Sequence, residues 1–288
     1  MKNKKKILFL VTLVALLVIM SGCSMPMDEN GKILTIGLDT TFKAMMDNEG
    51  FFSAIFVYPL AQLINKITPY TNVGVAILVV TVAINAIVLL LTFKQNIAMQ
   101  KLQSLQPEMD RIQRKYEGKT DEASKMRMAQ EVQNLYTKNK INPFGSIVVM
   151  FIQFPILIAM YHAVTRAESV ATGTFLGISL EMSPWQGFKA DSFVYLVIFA
   201  LMVVSQFATM LVPQYLAKYH AKKEAEAHFR SYHEQANPNN TMMYFMTVFI
   251  SVIAITWPTA MSLYWMISNL VNLVKAVIVD SVIQKHKD

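Results

Sequence analysis

Residues 73–92 read VGVAILVVTVAINAIVLLLT. Twenty consecutive positions carry no charged side chain, which matches the roughly 20 residues an α-helix needs to cross a ~30 Å hydrocarbon layer. Around this stretch the composition is 54% hydrophobic and 16% charged over 288 residues. A soluble domain carries about 25% charged residues, so this chain is depleted. The apolar residues gather in long runs, as membrane spans do. Four more runs follow, at about 143–164, 192–216, 241–255 and 259–279. Only Thr256-Trp257-Pro258 separates the last two, so they pack antiparallel. The expected fold is an all-α membrane protein with five transmembrane helices.

The segments between the runs set the orientation. Residues 93–142 are charged and rich in helix formers, and Gly118-Lys119-Thr120-Asp121 breaks them into two arms of a helical hairpin. Ten Lys or Arg fall between Lys94 and Lys140, four in the loop 217–240, two in the loop 165–190 and none in the turn 256–258. The positive-inside rule puts the first two segments in the cytosol, with the mature N-terminus outside and a short cytosolic tail at 280–288. The net charge of +7 is accounted for in this way. No basic, aromatic-interleaved motif points to nucleic acid.

The N-terminus reads as an export signal over residues 1–22. Lys2, Lys4, Lys5 and Lys6 precede an apolar stretch from Ile7 to Met20, and Ser21-Gly22 precede Cys23, the only cysteine. That ending resembles a bacterial lipobox, which implies cleavage before Cys23 and a diacylglycerol with fatty acyl (palmitate-type) chains on its thiol. A lone cysteine excludes an internal disulfide and a multi-thiolate zinc site. Residues 23–49 read as an extracellular linker. Residues 50–67 place Phe51, Phe52, Ile55, Phe56, Leu60, Leu63, Ile64 and Ile67 at helical spacing, with Gln62, Asn65 and Lys66 between them. Pro59 and these polar residues favour an amphipathic helix lying at the outer interface over a first span. The outer loop 165–190 carries a short apolar element around Phe175 to Ile178.

Polar residues inside hydrocarbon are costly unless they face protein or water. Thr81, Asn85, Thr92 and Asn96 are spaced by 4, 7 and 4 residues, which places them within about 60° on one helix face. Ser262, Asn269 and Asn272 share one side of the last span. Gln153 stands in the second span, and Ser205, Gln206 and Thr209 in the third. Thr247 and Ser251 stand in the fourth. Interhelical hydrogen bonding explains any one of these residues, whereas the set suggests a hydrophilic groove. Its expected lining is Thr81, Asn85, Thr92, Gln153, Gln206, Ser262, Asn269 and Asn272. No charged residue is expected in the core of any span, which weighs against a proton pump or ion-coupled transporter. His162 lies nine residues from Gln153, on the opposite face, and His220, His228 and His233 have no metal-pair spacing. No phosphate loop, nucleophile elbow or metalloprotease motif occurs. No metal, cofactor or catalytic residue is expected, and the chain reads as no enzyme.

Several segments together resemble one family. Phe56-Val57-Tyr58-Pro59-Leu60 precedes the first span, and Leu91-Thr92-Phe93-Lys94-Gln95 closes it. Leu105-Gln106-Pro107-Glu108 opens the hairpin, Lys115-Tyr116 follows, and Asn142-Pro143 starts the second span. Gln153-Phe154-Pro155-Ile156-Leu157 lies within that span, and Pro258-Thr259-Ala260-Met261-Ser262-Leu263-Tyr264-Trp265 opens the fifth. In this order they look like the YidC/Oxa membrane protein insertases, in their Gram-positive lipoprotein branch. The resemblance implies an insertase and chaperone in the cell membrane, with a five-helix core around a groove open to cytosol and lipid. It implies nascent membrane proteins as substrates, with the Sec translocon, translating ribosomes and membrane lipids as partners. The family usually carries an Arg in its first span, ahead of the Lys that aligns with Lys94. Here Asn85 stands nine residues before Lys94 and brings no charge. A small-molecule transporter or channel, or an assembly scaffold, is the competing reading. The large charged hairpin and the lack of a visible repeat weigh against transport.

Overall fold

In a computed structural model the described residues are 25–139, 141, 145–227 and 238–285. The expected export signal, 1–22, and Cys23 lie outside them. The described chain is mostly helical, with a non-helical stretch over 25–41 and one short antiparallel hairpin. Three of its helices are long and apolar enough to cross a membrane: Val73–Met99, Phe193–His220 and Thr259–Lys285. Two compact units emerge, and several helices contribute to both.

The first unit comprises Met1–Ile84, Ile152–Val203 and Ser251–Ser268. Helix α1 (Phe42–Glu49) starts at Thr41, whose hydroxyl accepts from the Ala44 amide. A π-helical turn (Ser53–Val57) leads into α2 (Tyr58–Ile67), with Pro59 in its first turn. Proline has no amide to donate and is tolerated there, next to a widened turn. One face of this segment buries Ala54, Val57, Ala61 and Ile64. They pack with Ile77 and Val80 of α3 (Val73–Ser104) and with Met160, Ala163 and Val164 of α6 (Gly145–Arg166). The unit's share of α11 (Thr259–Lys285) adds Met261 and Tyr264. The alanines let helix backbones approach closely, which drives helix packing where lipid leaves no hydrophobic gain.

Gln62 and Asn65 do not face solvent, as their spacing among apolar residues suggested. Both are buried, while Phe51, Ile55, Phe56 and Leu63 are exposed. Gln62 Nε2 donates to the Gly37 carbonyl at 2.7 Å, and Asn65 Nδ2 to the Ile36 carbonyl at 2.6 Å. Asn65 Oδ1 accepts from the Ser169 amide at 3.0 Å. Both amides are satisfied by backbone, as buried polar groups must be. A second apolar face is left outward, where a helix packed on a soluble protein would carry polar residues.

The same N-terminal segment is clasped by Arg166, the last residue of α6. Reading it as one of two loop charges missed its role. Its side chain is 1% exposed and meets Glu49 with Nη1–Oε2 at 2.7 Å and Nη2–Oε1 at 2.5 Å. Its Nε donates to the Leu34 carbonyl at 2.8 Å, and Ile36 pairs with Ala167 as a parallel bridge. The planar guanidinium suits such a fork. After Arg166 come α7 (Glu168–Thr172), strands β1 (Thr174–Phe175) and β2 (Ile178–Ser179), α8 (Pro184–Lys189) and the start of α9 (Phe193–Ala227). Trp257, in the turn before α11, stacks on Trp265 at 5.3 Å and lies 4.8 Å from Tyr161.

The second unit comprises Asn85–Phe151, Val204–Ile250 and Asn269–Asp288. It holds most of α10 (Pro238–Ala254), the later parts of α3, α9 and α11, and the hairpin of α4 (Gln106–Lys115) and α5 (Glu122–Lys138). Gly118, at φ 76°, turns the hairpin, and Asp121 caps α5 by accepting from the Ser124 amide. Glu131 ties the arms: Lys115 Nζ reaches its Oε1 at 2.5 Å, and the Tyr116 hydroxyl donates to that oxygen at 2.8 Å. The bond from Lys115 comes first, and that from Tyr116 second, in holding Glu131 below the usual carboxylate range. Glu131 in turn raises Lys115 above the usual lysine value.

Two predictions follow from the clasp and the tie. Glu49→Ala leaves a buried guanidinium unpaired, and thermal unfolding in detergent should show a loss of about 3–5 kcal/mol. Replacing both partners, as Glu49→Leu with Arg166→Met, should recover most of it; an unchanged single variant contradicts the clasp. The hairpin tie contributes while Glu131 is ionised and Lys115 protonated. It is lost as pH falls through the depressed Glu131 value or rises through the raised Lys115 value. Amide exchange in α5 should therefore quicken slightly on the acid side, and Glu131→Gln should remove that pH dependence.

Candidate functional site

In a helix surrounded by hydrocarbon, an amide side chain leans toward whatever polar partner its neighbours offer. In the second unit α9 and α11 offer each other such partners. Asn269 Nδ2 donates to Gln206 Oε1 at 3.0 Å and to Ser205 Oγ at 3.2 Å. One turn further along α11, Asn272 Oδ1 accepts from Lys275 Nζ at 2.7 Å. Asn269, Asn272 and Lys275 recur every three residues, so each lies about 60° round the helix from the one before. Asn269 is buried, whereas Gln206, Asn272 and Lys275 are partly open. The same unit holds Asn85, half-buried on α3, and Thr92, buried further along it. Thr92 Oγ1 donates to the Val88 carbonyl at 2.7 Å and accepts from Asn96 Nδ2 at 2.9 Å. Further toward the ends of α9 and α11, His220 Nε2 lies 2.9 Å from Asp280 Oδ2.

The expected lining residues therefore divide. Gln206, Asn269 and Asn272 stand in or beside one hydrogen-bonded group. Thr92 is bonded within its own helix. The first unit holds Thr81, Gln153 and Ser262. Thr81 and Ser262 are fully buried, and Gln153 is half-buried. The Ser262 hydroxyl has no hydrogen-bond partner among the described residues. Thr247, on α10, donates to Met210 Sδ at 3.6 Å.

Lys275 corrects the expectation that no charged residue lies in a span. It sits ten residues before the end of α11, about 15 Å at 1.5 Å per residue. It is half-buried, and among the described residues no carboxylate is ion-paired with it. A lysine four positions inside the last apolar run was the signal. An ionisable group in a span is by default a functional residue. The chemistry on offer is reversible: amide donors and acceptors, hydroxyls and one cation. Among the described residues no cluster of His, Cys, Asp and Glu could hold a metal.

Comparison with known proteins adds the following. The family described as 60Kd inner membrane protein matches residues 63–287. The chain is 33% identical over 273 residues to membrane protein insertase YidC 2 of Bacillus anthracis, covering 94% of this chain and 91% of that protein. It is 30% identical to membrane protein insertase MisCA of Bacillus subtilis (strain 168), covering 93% of this chain and 88% of that protein. Membrane protein insertase YidC of Enterococcus faecalis is also 30% identical, over 93% of this chain and 83% of that protein.

Proposed function

We propose, from the premise that this chain belongs to the 60Kd inner membrane protein family, that it is a membrane protein insertase whose polar wall on α9 and α11 receives substrate segments. Its substrates are membrane proteins, and its place is the cell membrane. Five helices span the bilayer in this reading: α3, α6, α9, α10 and α11. The length of α6, 22 residues or about 33 Å at 1.5 Å per residue, supports counting it with the three long spans. The excess of Lys and Arg in 94–140 and 217–240 supports a cytosolic hairpin, an outer N-terminus and an inner C-terminus. The spacing around Cys23 supports a lipid anchor.

The mechanism needs no covalent step. Moving an unpaired amide from water into hydrocarbon costs about 2–7 kcal/mol. A substrate segment exchanging hydrogen bonds with Gln206, Asn269 and Asn272 offsets part of that cost. Its polar tail passes while its apolar part partitions into lipid. The groove reading adds Asn85 and Thr92 of the same unit to the path, and Lys275 supplies a cation where Asn85 has none. Its charge favours acidic substrate residues, because a charge acts strongly where water is scarce. The hairpin's exposed arms make first contact with emerging chains, with the Sec translocon and translating ribosome as accessory partners. The observation that carries this reading is the bonded group Ser205–Gln206–Asn269, with Lys275 beyond it, inside helices that are otherwise apolar.

The test is complementation of an insertase-depleted strain, with protease accessibility of a small single-span substrate as readout. Asn269→Leu should lower insertion severalfold, and Lys275→Gln should lower it most for substrates with acidic tails. Asn85→Arg should improve those same substrates. Val274→Leu, on the exposed apolar side of α11, should change nothing. Equal effects of Asn269→Leu and Val274→Leu would rule out the polar wall.

A further inference from the structure

The segment between α7 and α9 carries a feature that insertion does not use. Strands β1 and β2 pair antiparallel, Thr174 with Ser179 and Phe175 with Ile178. Leu176 and Gly177 form the two-residue turn, with φ of 52° and 79°. A turn with both angles positive favours Asn-Gly or Asp-Gly, and a leucine there is strained. This leucine is 67% exposed, so no packing inside the chain offsets that strain. A few residues on, α8 exposes Trp185 and Phe188, whose rings lie 6.1 Å apart. Lys189 Nζ stands 5.1 Å from the Trp185 ring. Phe193, which opens the membrane-spanning part of α9, is 73% exposed.

These side chains are held on a rigid base within the first unit. The Tyr195 hydroxyl donates to the Ser179 carbonyl at 2.9 Å, and its ring lies against Gly187 of α8. A Cβ on Gly187 would fall 2.1 Å from that ring, so only glycine permits the contact. One tyrosine thus ties the hairpin and α8 together. Ser183 and Gln186 close a capping box at the start of α8. The Trp185 amide donates to the Ile255 carbonyl at 3.1 Å. Thr259 donates its amide and its hydroxyl to the Met182 carbonyl, and the Ala260 amide donates to the Leu180 carbonyl. Exposed apolar groups on a mobile loop would mean little. Here the backbone beneath them is pinned at Ser179, Leu180, Met182 and Trp185.

We propose that the Leu176 turn and α8 form an interfacial anchor, seated at the headgroup–acyl boundary of the outer leaflet. The occupant is phospholipid. Tryptophan and phenylalanine suit the layer where acyl chains meet headgroups, and lysine beside tryptophan suits the phosphates above. Continuity with Phe193 places the anchor where α9 enters hydrocarbon. The outward face of Phe51, Ile55 and Leu63 in the same unit is a second apolar surface of this kind. The word outer rests on the orientation given under the proposed function; contact with lipid does not.

The experiment uses the full chain in phosphatidylcholine–phosphatidylglycerol vesicles brominated either near the glycerol end or at mid-chain. Quenching of the parent protein minus that of Trp185→Phe gives the Trp185 contribution. Near-glycerol bromines should quench it more strongly, roughly twofold, because interfacial side chains sit about 5–10 Å into the boundary. Aqueous iodide should quench it weakly. Absence of bromolipid quenching would overturn the anchor: with strong iodide quenching the face meets water, and with weak iodide quenching it meets another protein or a second copy. Stronger mid-chain quenching would overturn it as well. Leu176→Cys, labelled with an environment-sensitive dye against the parent as Cys23 background, should follow the same order; a dye reporting water sinks the proposal. A membrane-impermeant maleimide should label that cysteine from outside only. Labelling from inside would reverse the orientation while leaving the lipid contact to the bromine result.

Discussion

Hydrocarbon offers no hydrogen bonds, and the placement of polar side chains in this chain follows from that constraint. Gln62 and Asn65 turn inward onto the carbonyls of Gly37 and Ile36 and leave an apolar face outward. Arg166 finds Glu49 and the Leu34 carbonyl. Asn269 finds Gln206 and Ser205. In each case a strong donor is held by an acceptor from a distant part of the sequence. Such bonds average only about 0.6 kcal/mol in membrane helices, but leaving one unmade costs more. They therefore specify arrangement more than they add stability.

An insertase uses the same constraint in reverse. Its clients must carry polar groups through the layer that punishes them, so the protein must offer partners that release as easily as they bind. Neutral amides suit this better than a closed ion pair. The bonds Asn269 makes to Gln206 and Ser205 are of ordinary length, and Gln206, Asn272 and Lys275 remain partly open. Arg166 and Glu49 show the opposite design, a fully committed pair that fixes structure. The relatives, matched over more than nine-tenths of this chain, are named for insertion.

Much of this was legible in the sequence because apolar runs and charge counts are local signals. The run 73–92, the glycine turn at 118 and the proline at 59 each act on their own neighbourhood, and each left its mark. Phe175 to Ile178 stood out as a short apolar element, and a hairpin is there. What spacing could not supply was the partner. Gln62 and Asn65 read as a polar face because their acceptors lie 25 and 29 residues earlier, in a segment with no pattern of its own. Arg166 counted as a loop charge because Glu49 is 117 residues away. Lys275 was overlooked for a different reason: it stands four positions inside the end of the run 259–279, with apolar residues on both sides of it. Thr81 and Ser262 share the polar character of Asn269 but lie fully buried in the first unit, a difference no residue type announces.

The central claim is that α9 and α11 present a polar wall to a substrate in transit. It is tested most directly by a photoreactive amino acid at position 206, with a stalled single-span substrate in the membrane. The account predicts an adduct between this position and the substrate's polar tail, and little from the same probe at Val204, which faces outward two residues earlier. Equal adducts at both positions, or an adduct at Val204 alone, would contradict it.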